Sequence, residues 1–69
     1  MDHDWRRTFR RRLQELLEER YMTQKQLADE IHVSRAAVSS YISGTRAPGI
    51  PTLINIAHVL GCRVSDLIY

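Results

Sequence analysis

The chain has 69 residues and a mass of 8.1 kDa, which allows one small domain with a thin core. Hydrophobic residues make up 43% and charged residues 26%, which excludes the composition of a disordered or low-complexity chain. The one cysteine, Cys62, cannot form an internal disulfide, and no apolar run reaches the roughly 18 residues of a membrane span. We therefore expect a single cytoplasmic domain over residues 1–69 that depends on helix packing for its stability.

The formal net charge is only +2, but the charges are segregated along the chain. Arginines dominate residues 1–12, acidic residues dominate residues 13–33, and the balance is positive again from Ser34 onward. This distribution permits a polyanionic partner and is equally compatible with an ordinary solvated surface.

The first arginine cluster consists of Arg6, Arg7, Arg10, Arg11 and Arg12. Arg11 lies four residues before Glu15, a spacing that favours an ion pair on one helix face. Two interpretations of the cluster remain open, a solvated helix face and direct contact with phosphate groups.

Apolar residues recur at helical spacing, and no strand-like alternation of useful length is present. Asp4, Thr23 and Ser34 occupy N-cap positions, and a glutamine three residues after Thr23 completes a capping box. Gly44 and Gly61 stand where helices commonly end. The predicted helices cover residues 5–20, 24–31 and 35–43. A fourth, with a Pro near its first position, is stopped by Gly61, and at most a short fifth covers residues 64–68.

The second and third helices, with a turn of about three residues between them, match the spacing of a helix-turn-helix unit over residues 24–43. The residues that carry the pattern are Thr23, Gln24, Leu27, Ala28, Val33, Ser34, Val38, Ser39, Tyr41, Gly44, Arg46, Pro48, Leu53, Ile56, Ala57, Leu60, Gly61 and Leu67. In these residues the chain resembles the phage lambda repressor and Cro (Xre-like) helix-turn-helix family over about residues 9–68. The resemblance implies a compact all-α, five-helix DNA-binding domain that places a recognition helix, about residues 35–43, in the major groove, usually as a homodimer on a near-palindromic operator.

The chain departs from the family pattern at four positions. Tyr21 and His32 stand just past helix ends where the family often has Gly, and where a left-handed backbone is expected. Histidine tolerates positive φ better than most residues, and tyrosine tolerates it less well. Ile42 replaces a frequent Glu, and Arg63 replaces a frequent Ser at the start of the fifth helix. The departures predict either a less stable domain or turns of different construction.

The third helix is predicted to have one apolar face and one face of small and polar residues. Advancing about 100° per residue, the second face spans roughly 140° and contains Arg35, Ala36, Ser39 and Ser40. Small side chains allow a helix to enter a groove closely, whereas a face meant only for solvent usually carries Glu, Lys and Gln. The alternative is that these small residues simply make a tolerable helix.

These four residues are our candidates for reading bases. Arg35 has the reach and the fork to bind guanine O6 and N7, and a phosphate clamp is its alternative role. Ala36 is suited to a thymine methyl group, while Ser39 and Ser40 are able to bond to almost any base.

Phosphate contacts are expected at the start of the second helix and after the third. Gln24 opens the second helix, where free N–H groups and the helix dipole attract a phosphate, and the family uses this glutamine there. Its alternative role is a second member of the cap. Lys25, Ser34, Thr45 and Arg46 are further phosphate candidates, and Arg46 has the alternative role of tying its loop to the core.

The chain ends in an apolar segment whose residues are candidates for a homodimer interface. These are Val64, Leu67, Ile68 and Tyr69. Packing of part of this surface on the first helix is equally open, which makes Ile68 and Tyr69 the better interface candidates.

We find no catalytic or metal-binding set. Ser39 and Ser40 have no nearby base and acid, and His58 with Cys62 supplies too few ligands for zinc. We therefore expect no enzyme and no cofactor.

Two hypotheses for the function remain. The first hypothesis is a sequence-specific DNA-binding transcription regulator, a repressor of phage or prophage type with double-stranded DNA as its partner. The second is an antitoxin-like module that binds a partner protein and DNA jointly.

Overall fold

The computed structural model describes residues 4–69, which form five α-helices and no strand. The helices are α1 (Trp5–Glu19), α2 (Gln24–Ile31), α3 (Arg35–Ser43), α4 (Ile50–Leu60) and α5 (Val64–Ile68). The predicted all-α fold is confirmed, and the helix ends agree with the sequence predictions to within about one residue. None of these helices combines the length and the apolar composition that crossing a membrane requires.

Side-chain caps fix where the first three helices begin. The Asp4 carboxylate accepts a hydrogen bond from the N–H two residues later at 3.2 Å, and the Ser34 hydroxyl accepts from the N–H three residues later at 3.0 Å. Thr23 and Gln26 form the predicted capping box, with reciprocal bonds of 3.0 and 2.8 Å. Each cap satisfies donors that a helix start would otherwise leave unpaired.

Three of the turns share one construction, in which a left-handed residue is followed by an apolar residue and then by an N-cap. The left-handed residues are Tyr21 (φ 53°), His32 (φ 59°) and Gly61 (φ 67°), which confirms the backbone expected at the first two positions. The apolar residues Met22, Val33 and Cys62 pack on the core, and their N–H groups donate to the carbonyl five residues earlier at 2.9, 3.0 and 3.0 Å. This is the Schellman arrangement of helix ends. Tyr21 and His32 adopt a conformation that glycine adopts without strain.

The core takes an apolar stripe from every helix. Its most fully buried members are Phe9, Leu13, Leu27, Val38, Ile56, Leu60 and Leu67. Helix α1 packs against α3 and α5, and α2 packs against α3 and α4. The helix-turn-helix unit, α2 with α3, is therefore held from two sides by the rest of the domain.

The C-terminal apolar residues divide between the core and the surface. Leu67 is 0% exposed, so its assignment as an interface residue is wrong, because α5 packs against α1 and encloses this side chain. Val64 and Ile68 are half-buried against the core, and Tyr69 is 81% exposed.

The predicted Arg11–Glu15 pair is also wrong. Arg12 pairs with Glu15 instead, at 2.8 Å, and its Nε donates to the Asp66 carbonyl at 2.9 Å. Because Arg12 points towards α5, one guanidinium serves both contacts and joins α1 to α5. Arg63 stands at the N-cap of α5 in place of Ser. There its N–H donates to the Asp66 carboxylate at 2.9 Å.

Replacing either strained residue by glycine tests the cost of the left-handed turns. We expect Tyr21→Gly and His32→Gly each to raise the free energy of unfolding by up to about 1 kcal/mol, because Gly adopts positive φ without a Cβ clash. Tyr21 is the cleaner site, since its side chain is 94% exposed and has little packing to lose. Thermal or urea unfolding measures the effect, with Tyr21→Ala as the control that removes the ring but keeps the strain. A lower midpoint for Tyr21→Gly than for Tyr21→Ala would contradict the account.

Candidate nucleic-acid interface

The outward face of α3 carries small and polar side chains together with one arginine. Arg35, Ala36 and Ser39 are exposed, whereas Val38 and Tyr41 on the opposite face are 0% and 5% exposed. Ser43 is exposed as well, and it lies roughly 80° from Arg35 by the helical count, between Ser39 and Ala36. Ser43 was not among the residues predicted to read bases, although the helical count places it on this face.

Ser40 differs from the other candidates on this helix in its burial. It is half-buried, and its hydroxyl donates to the Ala37 carbonyl within α3 at 2.7 Å. A hydroxyl has one proton to donate, so a base would meet only its acceptor lone pairs. The base-reading role of Ser40 stays a prediction, and it is limited to accepting a hydrogen bond from a base.

A side-chain hydrogen bond joins the two helices of the helix-turn-helix unit at this surface. The Ser39 hydroxyl donates to Gln24 Oε1 at 2.6 Å. The alternative role of Gln24 in the cap is wrong, because Gln26 completes the capping box and Gln24 reaches α3 instead. The Gln24 amide N–H groups make no hydrogen bond with the described residues, so they are available to an acceptor such as a phosphate oxygen.

The remaining predicted phosphate residues lie at different parts of the surface. Lys25 pairs with Asp29 at 3.0 Å on the exposed face of α2, and such a surface pair is weak enough to exchange for a phosphate. Ser34 caps α3 by accepting the Ala37 N–H, and its hydroxyl proton has no acceptor among residues 4–69, so the cap and a phosphate contact are compatible. Thr45 and Arg46 are exposed at the opposite end of α3 from Arg35, so the candidates bracket the helix.

The end of α3 is closed by several donors that converge on the Ser40 carbonyl. The N–H groups of Gly44 and Arg46 donate to it at 2.9 and 3.3 Å, and the Ser43 hydroxyl donates at 3.2 Å. The Arg46 backbone therefore ties the loop to α3, while its side chain is exposed. Both roles considered for this residue are compatible, one through the backbone and one through the guanidinium.

Arg10 of α1 also binds the end of α3. Its Nε donates to the Ile42 carbonyl at 3.2 Å, which places a cation at the negative end of the helix dipole. Gly44 makes this possible, since a Cβ at that position would lie 2.6 Å from the Arg10 guanidinium carbon. The contact spans residues that are 32 apart in sequence, so no local pattern pointed to it.

The structure offers no metal centre within residues 4–69, because no three His, Cys, Asp or Glu side chains come together there. His58 is exposed and Cys62 is half-buried. Burial raises the pKa of the Cys62 thiol, which favours its protonated form at neutral pH.

Two short helices joined by a tight turn, the second with a small polar outward face, define a helix-turn-helix domain. The chain belongs to the helix-turn-helix family, whose sequence model matches residues 13–67. Among curated proteins it is similar to an uncharacterized HTH-type transcriptional regulator, YqaE, from Bacillus subtilis (strain 168), with 32% identity over 60 residues, covering 87% of this chain and 52% of that protein.

The chain is also similar to the HTH-type transcriptional activator BcrR of Enterococcus faecalis, with 33% identity over 60 residues, 87% of this chain and 29% of that protein. The chain thus spans about half of one relative and under a third of the other. No solved structure matches it significantly.

Two glycine substitutions measure the contact between Arg10 and the end of α3. Gly61→Ala places a Cβ in open space at φ 67° and should cost about 1–2 kcal/mol from strain alone. Gly44→Ala, at φ 87°, should cost about 0.5–1 kcal/mol more, because the guanidinium must leave Ile42. Urea unfolding of both variants, alone and with Arg10→Ala, checks this. If Gly44→Ala costs as much more than Gly61→Ala in the Arg10→Ala background as it does in the unmodified chain, the contact with Arg10 is not the cause.

Proposed function

We propose that this protein is a sequence-specific DNA-binding transcription regulator that inserts α3 into the major groove. The observation that carries the proposal is the hydrogen bond between Ser39 and Gln24, which joins the face of α3 proposed to read bases to the residue of α2 proposed to bind phosphate. Phosphate contacts fix the orientation of a protein on DNA and base contacts supply its specificity. The Ser39–Gln24 bond supports the proposal because it joins a candidate for each kind of contact.

The individual roles follow from position and chemistry. Arg35, exposed at the start of α3, reads a guanine, while Ala36 and Ser39 contact neighbouring bases. The Gln24 amide binds a backbone phosphate near the N-terminus of α2, where the helix dipole favours an anion. Thr45 and Arg46 bind the backbone beyond the other end of α3.

Family membership and the printed names of both relatives support regulation of transcription. Within that class, we propose a repressor of phage or prophage type. Repression needs only occupancy of DNA by the domain; of the two relatives, YqaE is named as a regulator and BcrR as an activator. The test is a reporter gene placed under an operator that has been selected from random DNA for binding to this protein. Lower expression in the presence of the protein is the expected result, and activation by this chain alone would contradict repression.

We further propose that the protein acts as a homodimer on an inverted repeat. One α3 presents a single long reader and several small ones, which is too little discrimination for a genome-wide search. Tyr69 is the leading interface residue, with the half-buried Val64 and Ile68 beside it. Helix α4 presents a second exposed apolar pair, Ile50 (74%) and Ile54 (52%), that the sequence analysis did not single out.

Substitutions at Arg35 and Gln24 test the division of labour. Selection from random duplexes, read by sequencing, first supplies a cognate site. Arg35→Ala should then cost about 1–3 kcal/mol on the cognate duplex and relax preference at one base position, because it removes a bidentate base contact. Gln24→Ala should weaken cognate and scrambled duplexes alike. Binding isotherms decide this, and an equal loss on both duplexes for Arg35→Ala would assign Arg35 to phosphate.

The dimer proposal predicts two chains on each operator. Half-sites should be centred about 10 to 10.5 base pairs apart, or a multiple of this, because two recognition helices must enter successive major grooves. Sedimentation with the selected duplex measures the stoichiometry. Tyr69→Asp should abolish cooperative occupancy without changing half-site preference, and Ile54→Asp is the matched exposed control. Loss of cooperativity in Ile54→Asp alone would move the interface to α4, and one chain per operator with full specificity would refute the dimer.

The same preparations test the antitoxin-like alternative. Native mass measurement of the protein purified from its own cells would reveal a second polypeptide in fixed ratio. Such a partner, together with DNA binding only in its presence, would replace the autonomous regulator proposed above.

A further inference from the structure

A basic pocket lies between the N-terminal half of α1 and the loop that follows α3. It encloses about 320 Å³, and its polar lining comprises Asp4, Arg6, Arg7, Arg10, Thr45 and Arg46. We call it the arginine pocket. Four of its residues are arginines and one is an aspartate, although they come from segments more than 30 residues apart in sequence.

The positive charge of the arginine pocket is not compensated within the described residues. Asp4 is engaged by Arg6, with a contact of 3.3 Å, and the hydrogen bonds from Arg6 lower the pKa of this carboxyl group. Arg7, Arg10 and Arg46 form no ion pair with any carboxylate in residues 4–69. Like charges held together without a counter-charge repel one another, so the pocket is suited to an anion.

The arginine pocket has a rigid floor. Phe9 and Tyr41 are 1% and 5% exposed, and their rings pack edge to face with centroids 6.5 Å apart. Arg10 is held by the Ile42 carbonyl on one side and lies against Gly44 on the other. The Tyr41 hydroxyl also lies at the pocket, and its proton has no acceptor among residues 4–69.

The position of the pocket favours a phosphate of the DNA backbone as the anion. Thr45 and Arg46 line it, and the same two residues continue directly from the end of α3. A DNA strand that runs past the end of the recognition helix therefore meets the pocket next. Arginine also matches phosphate geometry by its planar fork of donors.

We propose that the arginine pocket binds a phosphate of the DNA backbone outside the base pairs that α3 reads, with Arg7 and Arg6 of α1 as its new ligands beside Arg46. This inference rests on the proposed function, since it extends the same DNA interface onto α1. It assigns a role to the arginine cluster, for which the sequence left two interpretations open. Arg11 does not line the pocket and belongs to the solvated face of α1.

The test compares Arg7→Gln with Arg11→Gln, a matched loss of one exposed arginine from the same helix. Binding to the selected duplex is measured across a range of salt concentrations. The slope of log K against log salt should become less steep by about 0.9 for Arg7→Gln, the value for one lost phosphate contact, and should stay unchanged for Arg11→Gln. Base preference should be the same in both variants and in the unmodified chain. The double variant Arg6→Gln/Arg7→Gln should lose at least as much as Arg7→Gln.

A second arm varies the DNA. Extending the duplex by about one helical turn beyond the selected site should tighten binding of the unmodified chain and of Arg11→Gln, but not of Arg7→Gln. A third arm adds inorganic phosphate and follows the thermal midpoint, which separates a site for a free anion from a site for the DNA backbone.

Each outcome bears on the proposal. An unchanged salt slope for Arg7→Gln, or an equal change for Arg11→Gln, overturns the pocket and leaves the regulator function intact. Stabilisation by inorganic phosphate that Arg7→Gln abolishes, with no effect on DNA binding, also overturns it in favour of a free-anion site. Failure of the unmodified chain to bind any selected duplex overturns the proposed function itself, and the pocket with it.

Discussion

The burial of one apolar stripe from each of five short helices is the constraint on which this structure depends. Helices of 8, 9 and 5 residues, such as α2, α3 and α5, are too short to be stable in water by themselves. With one cysteine the chain has no internal disulfide to support them. Leu27 of α2 and Val38 of α3 are both 0% exposed, so the same core that stabilises the domain also fixes the angle of the recognition helix. In a domain of this size, stability and the position of the interface cannot be separated.

Because the core is thin, the turns carry much of the specification of the fold. Three of them repeat the order of left-handed residue, apolar residue and N-cap, so each turn ends one helix, anchors the chain to the core and begins the next helix. At Tyr21 and His32 this order is kept with side chains that disfavour positive φ, which consumes part of a small net stability. The turn geometry therefore dominates over local backbone preference, and the core must offset the strain.

The parts of the structure that were predictable are those encoded within a few residues. Caps at Thr23 and Ser34 and the positions of Tyr21 and His32 made the end of α1, both ends of α2 and the start of α3 predictable, because cap and turn chemistry is local. Side-chain partners across the fold were not predictable in this way. The Gln24–Ser39 bond joins residues that are 15 apart in sequence. Arg12 rather than Arg11 pairs with Glu15, because Arg12 also faces α5. Leu67 was ambiguous for the same reason, since periodicity shows that a residue is apolar but not which surface covers it. The candidate readers on α3 were predictable as a face, whereas the arginine pocket required the packing of α1 on α3.

The distribution of charge then decides how a polyanion would approach the domain. A net charge of +2 gives little attraction overall, but Arg35 and Arg46 lie at opposite ends of α3 and the arginines of α1 continue beyond them. Asp29 and Glu30 border a different cleft, beside the exposed Tyr21, and would repel the same polyanion. Such asymmetry contributes more to orientation and rate of encounter than to affinity. Under the proposed function, discrimination between sequences would come from α3, where a bidentate contact of Arg35 with a base would contribute about 1–3 kcal/mol and the small residues beside it less. Under the proposed function, a domain with this division of labour would orient itself on any duplex, and it would gain selectivity mainly by reading a second half-site with a second copy of itself.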